Sequence, residues 1–287
     1  MPQTINTNMA SLNAQRNMST SQSSLATSMQ RLSSGLRVNS AKDDAAGLAI
    51  AERMNAQVRG MNVAVRNAND GISMAQTAEG ALGKVTDSLQ RMRELAVQAA
   101  NATVSGSDKD SLDKEFGELA KEIQRVLGAT NFNGKYVLAG DAGAQTFQVG
   151  ANTANEDTID IQTTNMTTDA TITTVAGTDY TGSGRAVIDN TVTADQIQTV
   201  VDDIDVALDT VNSERATLGA SQNRFDSVVS NLQISIENQS AARGRIMDTD
   251  FASETANMSR AQILQQAGNA MVAQANQLPQ QVLSLLR

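Results

Sequence analysis

The feature that most constrains this chain is an apolar residue at every seventh position, repeated over two long stretches of sequence. One stretch covers residues 61–96 and the other covers residues 197–232. Because a period of seven keeps apolar side chains on one side of an α-helix, each stretch predicts a long helix packed side by side against another. A third helix is predicted over residues 112–126, where apolar residues alternate in steps of four and three. The first seam consists of Met61, Ala68, Ala75, Leu82, Leu89 and Ala96, and the second of Ile197, Ile204, Val211, Leu218, Phe225 and Leu232, with Val201, Leu208, Val229 and Ile236 predicted beside it.

The chemistry open to the chain is narrow, because its 287 residues include no histidine and no cysteine. Imidazole bases, cysteine nucleophiles, thiolate metal sites and disulfides are therefore excluded. We expect a protein that is not an enzyme and that has no catalytic residues, no cofactor and no metal site. A net charge of −9 also argues against a nucleic-acid partner, since proteins that bind nucleic acids carry basic surfaces.

Membrane insertion is not expected, because no apolar run approaches the length of a membrane-spanning helix. Residues 1–35 also lack the apolar core of a secretory signal peptide. The sequence therefore predicts a protein that stays in the cytosol or leaves the cell by a route without such a signal.

Both ends of the chain are almost uncharged and carry apolar stripes. Residues 1–40 contain three arginines and no carboxylate, and residues 251–287 contain two arginines and one glutamate. Helices of this kind are marginal alone in water, so we expect the ends to associate with each other, with other copies, or both. The alternative is that two ordinary amphipathic helices cap a globular core. The stripes are Leu25, Met29, Leu32 and Leu36 near the N-terminus, and Leu264, Met271, Leu278 and Leu285 near the C-terminus, where Ala261, Gly268, Ala275 and Val282 form a second stripe.

The middle of the chain has a different composition. Residues 151–200 contain 14 threonines and no lysine, and the alternation over residues 171–175 predicts a β-strand. The pair Asn133-Gly134 before an apolar run predicts a β-hairpin. Elsewhere, Gly35 and Gly128 predict helix ends, and Ser40 predicts a helix start.

Residues 31–51 read RLSSGLRVNSAKDDAAGLAIA and resemble the N-terminal signature of bacterial flagellins. The resemblance covers both ends of the chain in order, which is far more specific than a single motif. Only about 60 residues, 132–192, separate the two blocks, so the chain resembles a short form with little or no outer variable domain. The other matching segments are residues 5–8, 69–73, 91–98, 130–134, 239–252 and 280–287.

The resemblance implies a mainly α-helical fold, an elongated coiled-coil rod with a small β-hairpin region and with the N- and C-terminal helices paired. Residues 1–40 and 251–287 would form a terminal coiled-coil domain that lines the inner tube of the filament. Residues 41–250 would form the inner core rod, with the hairpins at 132–192 and no large outer domain. Nine stripe residues would then pack between subunits of the inner tube: Leu25, Met29, Leu32, Leu36, Leu264, Met271, Leu278, Val282 and Leu285.

The function implied by the resemblance is that of a structural subunit that self-assembles into the extracellular flagellar filament for motility. The chain would be secreted unfolded through the flagellar type III apparatus. Its implied partners are other copies of itself, an export chaperone at the C-terminal segment, and the filament cap and hook-associated proteins.

One further segment resembles the docking surface for a Toll-like innate immune receptor of hosts. From spacing alone, Arg91 and Glu94 could instead form an ion pair on a solvated helix face, or the segment could be a subunit contact. One surface can serve both purposes. The implied receptor-binding residues are Gln90, Arg91, Arg93, Glu94, Leu95 and Glu115.

The main alternative is a coiled-coil module that does not build the filament itself, such as a hook–filament junction protein or a secreted or signalling helical rod. A secreted or signalling rod would share the heptads but lack the ordered terminal signatures. The match over residues 35–51 and in the last eight residues favours flagellin over the junction protein.

Overall fold

The computed structural model describes the backbone of residues 7–284 and the side chains of residues 7–277. The fold is mainly helical, as predicted, with two small two-stranded sheets. By its internal contacts the chain divides into two units, Met1–Ala56 with Glu237–Arg287, and Gln57–Ile236. The elements are α1 (Met9–Ser34), α2 (Ala45–Ala99), α3 (Gly106–Ala129), β1 (Asn131–Phe132), β2 (Lys135–Tyr136), β3 (Ala144–Gln148), β4 (Thr158–Gln162), α4 (Ala170–Ala176), α5 (Ala194–Met247) and α6 (Phe251–Ser284).

The unit Gln57–Ile236 is built on the antiparallel packing of α2 and α5. All six residues of the first predicted seam are buried, and the second seam is buried from Ile197 to Phe225. The neighbouring seam is shifted by one residue from the prediction, because Val200 and Ala207 are buried whereas Val201 and Leu208 are only half-buried. The seven-residue period therefore predicted both the helices and most of their core.

The β3–β4 hairpin packs on the same two helices. Phe147 of β3 meets Phe225 of α5 edge to face, with ring centroids 5.8 Å apart. The Phe225 ring also lies against the bare backbone of Gly71, where an added Cβ would come within 3.0 Å of it. On α2, the Asn67 side-chain amide donates to the Gln148 carbonyl over 2.9 Å.

The predicted hairpin at Asn133-Gly134 is confirmed by the antiparallel pairing of β1 and β2. Asn133 and Gly134 have φ angles of 50° and 82°. Positive φ at both central residues is the requirement of a type I′ turn, and an Asn-Gly pair tolerates it well.

The strand predicted over residues 171–175 is wrong, because these residues belong to the helix α4. Asp169 caps the helix by accepting a hydrogen bond from the Thr171 backbone N–H at 2.9 Å. Ile172, Val175 and Ala176 are buried, and their spacing of three and four places them on one face of a helix. This burial outweighs the strand preference of the threonines between them.

Of the three helix boundaries that the sequence predicted, the structure confirms one. Gly35 ends α1 in the left-handed conformation with φ 71°, as predicted. Helix α3 instead continues past Gly128, and its C-cap is Thr130. The predicted helix start at Ser40 is also wrong, because Asp43 accepts bonds from Ser40 and closes a turn, while Asp44 accepts the Gly47 N–H at 2.7 Å where α2 begins.

The unit Met1–Ala56 with Glu237–Arg287 is dominated by the antiparallel pair of α1 and α6. Just outside these helices, residues 35–37 and 247–249 are joined by backbone hydrogen bonds, including Thr249 N–H to the Gly35 carbonyl at 3.0 Å. None of the helices, over the residues described, is both long and apolar enough to span a membrane.

Candidate functional site

The seam between α1 and α6 is a regular coiled-coil interface with unusually small and polar members. Both helices turn a residue inward at alternating steps of three and four. Small side chains bury little apolar area, so this pairing gains less from the hydrophobic effect than the α2–α5 pairing does. The inward residues are Ser11, Ala14, Met18, Ser21, Leu25, Ser28 and Leu32 on α1, and Glu254, Met258, Ala261, Gln265, Gly268, Val272 and Ala275 on α6.

The structure separates the two predicted stripes of α6. The small-residue stripe of Ala261, Gly268 and Ala275 packs toward α1. The large residues Leu264 and Met271 are 52% and 63% exposed and lie at the edge of this seam, where they line a groove together with residues of α1. These two large side chains are therefore largely exposed, whereas Met258 and Val272 of the same helix are half-buried in the seam.

The other residues of the predicted stripes also differ in exposure. Met29 is 56% exposed, whereas Leu25 and Leu32 are half-buried in the seam. Leu36 lies just past the end of α1, where it pairs with Asp248 in an isolated bridge. Of the others, Leu285 lies outside the described residues, and the side chains of Leu278 and Val282 lie outside the described side chains.

One carboxylate is buried in the α1–α6 seam. Glu254 is 7% exposed and its Oε1 accepts a hydrogen bond from the Ser28 hydroxyl at 2.5 Å. Its Oε2 lies 3.7 Å from Nη1 of Arg31. The Arg31 Nε is buried and has no hydrogen-bond partner among the described residues. We call Ser28, Arg31 and Glu254 the Glu254 cluster.

Three of the predicted receptor-binding residues, Arg91 and Glu94 of α2 and Glu115 of α3, meet where these two helices contact each other. The Arg91 guanidinium donates from Nε to Glu115 and from Nη1 to Glu94, both over 2.8 Å. Hydrogen bonds from Arg91 to Glu115 and then to Glu94 raise the pKa of Arg91 above its ordinary value. Gln90 is exposed beside them. The ion pair to Glu94 that spacing alone suggested is thus present, and the pair to Glu115 joins the two helices.

Arg93 faces a different neighbour, since it forms a bidentate pair with Asp205 of α5 at 2.6 and 3.0 Å. This pairing lowers the pKa of Asp205, chiefly through the side-chain hydrogen bond with Arg93. Leu95 is not at the surface, because it is 1% exposed within the core. Its prediction as a contact residue is therefore corrected, and its side chain stabilises the helix that carries Arg91.

Sequence reasoning missed the ion pair that holds the loop after α4. Arg185 donates to both carboxylate oxygens of Asp113 on α3, at 2.9 and 2.6 Å. Its guanidinium lies 5.9 Å from the centroid of the Phe116 ring and against Gly117, where a Cβ would be 3.0 Å from Nε. The partners are 72 residues apart in sequence, so no local spacing could have indicated them.

Among the described residues, no group of three or more acidic side chains is placed to hold a metal ion. The architecture is that of a structural coiled-coil protein whose own two ends pair and whose terminal helices keep large apolar side chains exposed.

Comparison with known proteins gives the family. Residues 5–142 match the bacterial flagellin N-terminal helical region, and residues 201–286 match the bacterial flagellin C-terminal helical region. The chain belongs to the bacterial flagellin family. It is a subunit of the extracellular flagellar filament, a structural protein without catalytic activity.

Two relatives match over their whole length. A flagellin of Halalkalibacterium halodurans is 45% identical over 283 residues, covering 99% of both chains. A flagellin of Xenorhabdus nematophila is 44% identical over 313 residues, covering 100% of both. These full-length matches fit the short form that the sequence predicted. A putative flagellar hook-associated protein from Vibrio parahaemolyticus has a similar fold, with a TM-score of 0.59 at 14% identity over 72% of this chain and 100% of that one.

Proposed function

We propose that the α1–α6 pair lies on the inside of the filament and lines its inner tube, with residues 41–250 around it. The observation that carries this proposal is the exposed apolar pair Leu264 and Met271, which lie seven residues apart on one face of α6, a helix with almost no charge. Exposed apolar side chains grouped on one surface are typical of protein–protein contacts. A groove of about 410 Å³ beside Leu264 and Met271, floored by Ala14 and Gly268, offers space for a side chain of the next subunit.

The test is a carboxylate placed in this exposed apolar pair. Leu264→Asp would bury an unpaired charge in each subunit contact, which costs several kcal/mol after relaxation. We expect seeded polymerisation to fail, as measured by sedimentation, while circular dichroism of the free chain stays like the parent's. The matched control is Gln274→Asp, an exposed position of α6 outside both stripes, and it should polymerise. Normal polymerisation of Leu264→Asp would refute the inner-tube role.

We also propose that the chain is exported unfolded through the flagellar type III apparatus and is held beforehand by a chaperone at its C-terminal segment. The small, polar seam between α1 and α6 supports this, because such a pair separates at low cost. An amphipathic helix with a free apolar stripe also suits a hydrophobic groove on a partner. The filament cap and hook-associated proteins would meet the chain after export.

The chaperone proposal is tested by co-purification from cells that make the flagellar apparatus. Removal of residues 251–287 should abolish the complex, and Leu264→Asp should weaken it. The control Gln274→Asp should leave it intact. Retention of the chaperone by the truncated chain would place its binding site elsewhere.

We propose further that the free chain is recognised by a Toll-like receptor at an exposed surface formed by Gln90, Arg91, Arg93, Glu94 and Glu115. This rests on the position of Arg91, which is held between two helices by two carboxylates and is therefore ordered before binding. An ordered side chain loses little entropy on binding, and arginine often dominates interfaces.

Dose–response curves of receptor signalling test this surface. Arg91→Ala should shift the curve by about tenfold or more, the loss typical of an interface anchor. The matched control is Arg125→Ala, which removes an exposed arginine from α3 that is paired with Glu122. Equal curves for Arg91→Ala and the parent would show that this surface is not the receptor site.

A further inference from the structure

We propose that the Glu254 cluster sets the register in which α1 pairs with α6. The inference rests on the fold of the terminal pair and not on its place in the filament. Among the inward residues of the two described helices, Glu254 is the single charged one, and it is buried. It contacts Ser28 and Arg31 near the C-terminal end of α1.

The rest of the seam does not distinguish one register from the next. Its members recur every seven residues, as Ala261, Gly268 and Ala275 do on α6. Sliding one helix by seven residues, about 10 Å at 1.5 Å per residue, would again bring uncharged residues opposite uncharged residues. Apart from Gln265, these are small or aliphatic. Packing alone therefore leaves several registers close in free energy, as in other uniformly patterned coiled coils.

The polar contacts at the other end of the α1–α6 pair also distinguish poorly between one register and the next. Asn8 donates to the Ala275 carbonyl at 2.7 Å, and Ser11 donates to Asn276 at 2.9 Å. These groups are uncharged, and serine and asparagine occur repeatedly along α1. A slipped helix would find similar partners for them.

The carboxylate of Glu254, in contrast, loses its ion-pair partner when the helices slip. A shift of seven residues in one direction places it opposite Ser21 and Ser24, and a shift in the other direction takes it past the end of α1 at Ser34. Arg31 is the sole basic residue in the second half of that helix. Of these three registers, only the observed one places the buried carboxylate beside a basic residue of α1, and a buried charge without its partner is strongly unfavourable. Single buried polar residues fix register in coiled coils by the same means.

Cysteine pairs can report the register directly, because the chain has no cysteine of its own. A Cβ on Gly268 would lie 3.6 Å from the Met18 Cβ, which is within the range that a disulfide requires. Met18→Cys with Gly268→Cys therefore reports the observed register. Met18→Cys with Ala261→Cys reports the register slipped by seven residues, since these positions are about 10 Å apart along the observed pair. The full chain is oxidised free and in seeded filaments, and cross-links within one chain are separated by gel mobility.

We expect Glu254→Ala to raise the ratio of slipped to observed cross-link by about tenfold or more, because the charge penalty on slipping is removed. Arg260→Ala removes an exposed charge from the same helix and should leave the ratio unchanged. The exchange Arg31→Glu with Glu254→Arg should restore the parent ratio, which a merely structural loss would not do.

The backbone bonds between residues 35–37 and 247–249 are the competing explanation for the register. An unchanged ratio in Glu254→Ala, free and in filaments, would show that those bonds hold the register alone and would overturn the proposal. Failure of the charge exchange to restore the ratio would overturn it as well.

Discussion

Removal of Arg185 is expected to destabilise the unit Gln57–Ile236 more than removal of any exposed arginine. The side chains of Arg185 and Asp113 are only 18% and 13% exposed, and their contact is bidentate. In Arg185→Ala the Asp113 carboxylate would keep only the Ile188 N–H at 3.0 Å as its partner. Breaking a buried pair from one side costs about 3–5 kcal/mol, and we take the lower end, about 3 kcal/mol, because both groups retain some contact with water.

Urea unfolding followed by circular dichroism measures this change in the free energy of unfolding. Arg125→Ala is the matched control, because its pair with Glu122 is exposed and such pairs are worth about 0–1 kcal/mol. A loss below about 1 kcal/mol in Arg185→Ala would refute the reasoning, since the pair would then behave like a surface ion pair.

The Arg185–Asp113 pair should also make the stability of the fold depend on pH. Burial alone would raise the pKa of Asp113, but the hydrogen bonds from Arg185 and Ile188 outweigh it and lower that pKa below its ordinary value. A carboxyl whose pKa is lowered by folding contributes stability that is present above its unfolded pKa of about 3.9 and is lost as pH falls through the folded pKa. The stability difference between the parent and Asp113→Asn should therefore be constant near neutral pH and shrink in acid. A difference that grew in acid would contradict the assigned direction.

Three further outcomes are expected. Gly71→Ala should lower the free energy of unfolding by about 1–3 kcal/mol, because the added Cβ would press on Phe225. Gly83→Ala has open space around it and should raise the free energy of unfolding by about 0.5–1 kcal/mol. Equal effects of the two substitutions in urea unfolding would contradict this. Gly134→Ala should cost about 1 kcal/mol because φ is 82°, and chemical denaturation of the two chains gives the comparison. Limited proteolysis should trim both terminal helices of the free chain first and spare them in filaments, because their seam is small and polar; equal protection in both states would count against this account.

The helices and the main core could be predicted from the sequence because both follow from a local period. Leu82, Leu89 and Ala96 are spaced as a buried seam requires, and they are buried. The inward position of Leu95, beside Ala96, follows from the same packing, but resemblance to a linear motif gave it a surface role. A motif lists neighbours in sequence, whereas exposure depends on the direction of each side chain around the helix.

Contacts between distant segments could not be predicted. Arg93 meets Asp205 and Arg185 meets Asp113 only because the helices and the loop that carry them are brought together by packing. Glu254 was counted among the few charges of the C-terminal end, and nothing in its spacing indicated that it would be buried. For α4, Asp169 and Gly177 are the local signals of a short helix, but the strand prediction rests on the alternating, threonine-rich composition alone.

The division of α6 into a small-residue side and a large-residue side has a consequence for how growth starts. A solitary chain gains little by closing its terminal pair, since half of the inward residues are alanine, glycine or serine. If the exposed leucine and methionine side contacts neighbours as proposed, a chain arriving at an existing filament end gains that contact as well, and the two gains reinforce each other. Elongation would then be favoured at concentrations where new filaments do not begin, so free chains would remain separate molecules until they meet a filament end.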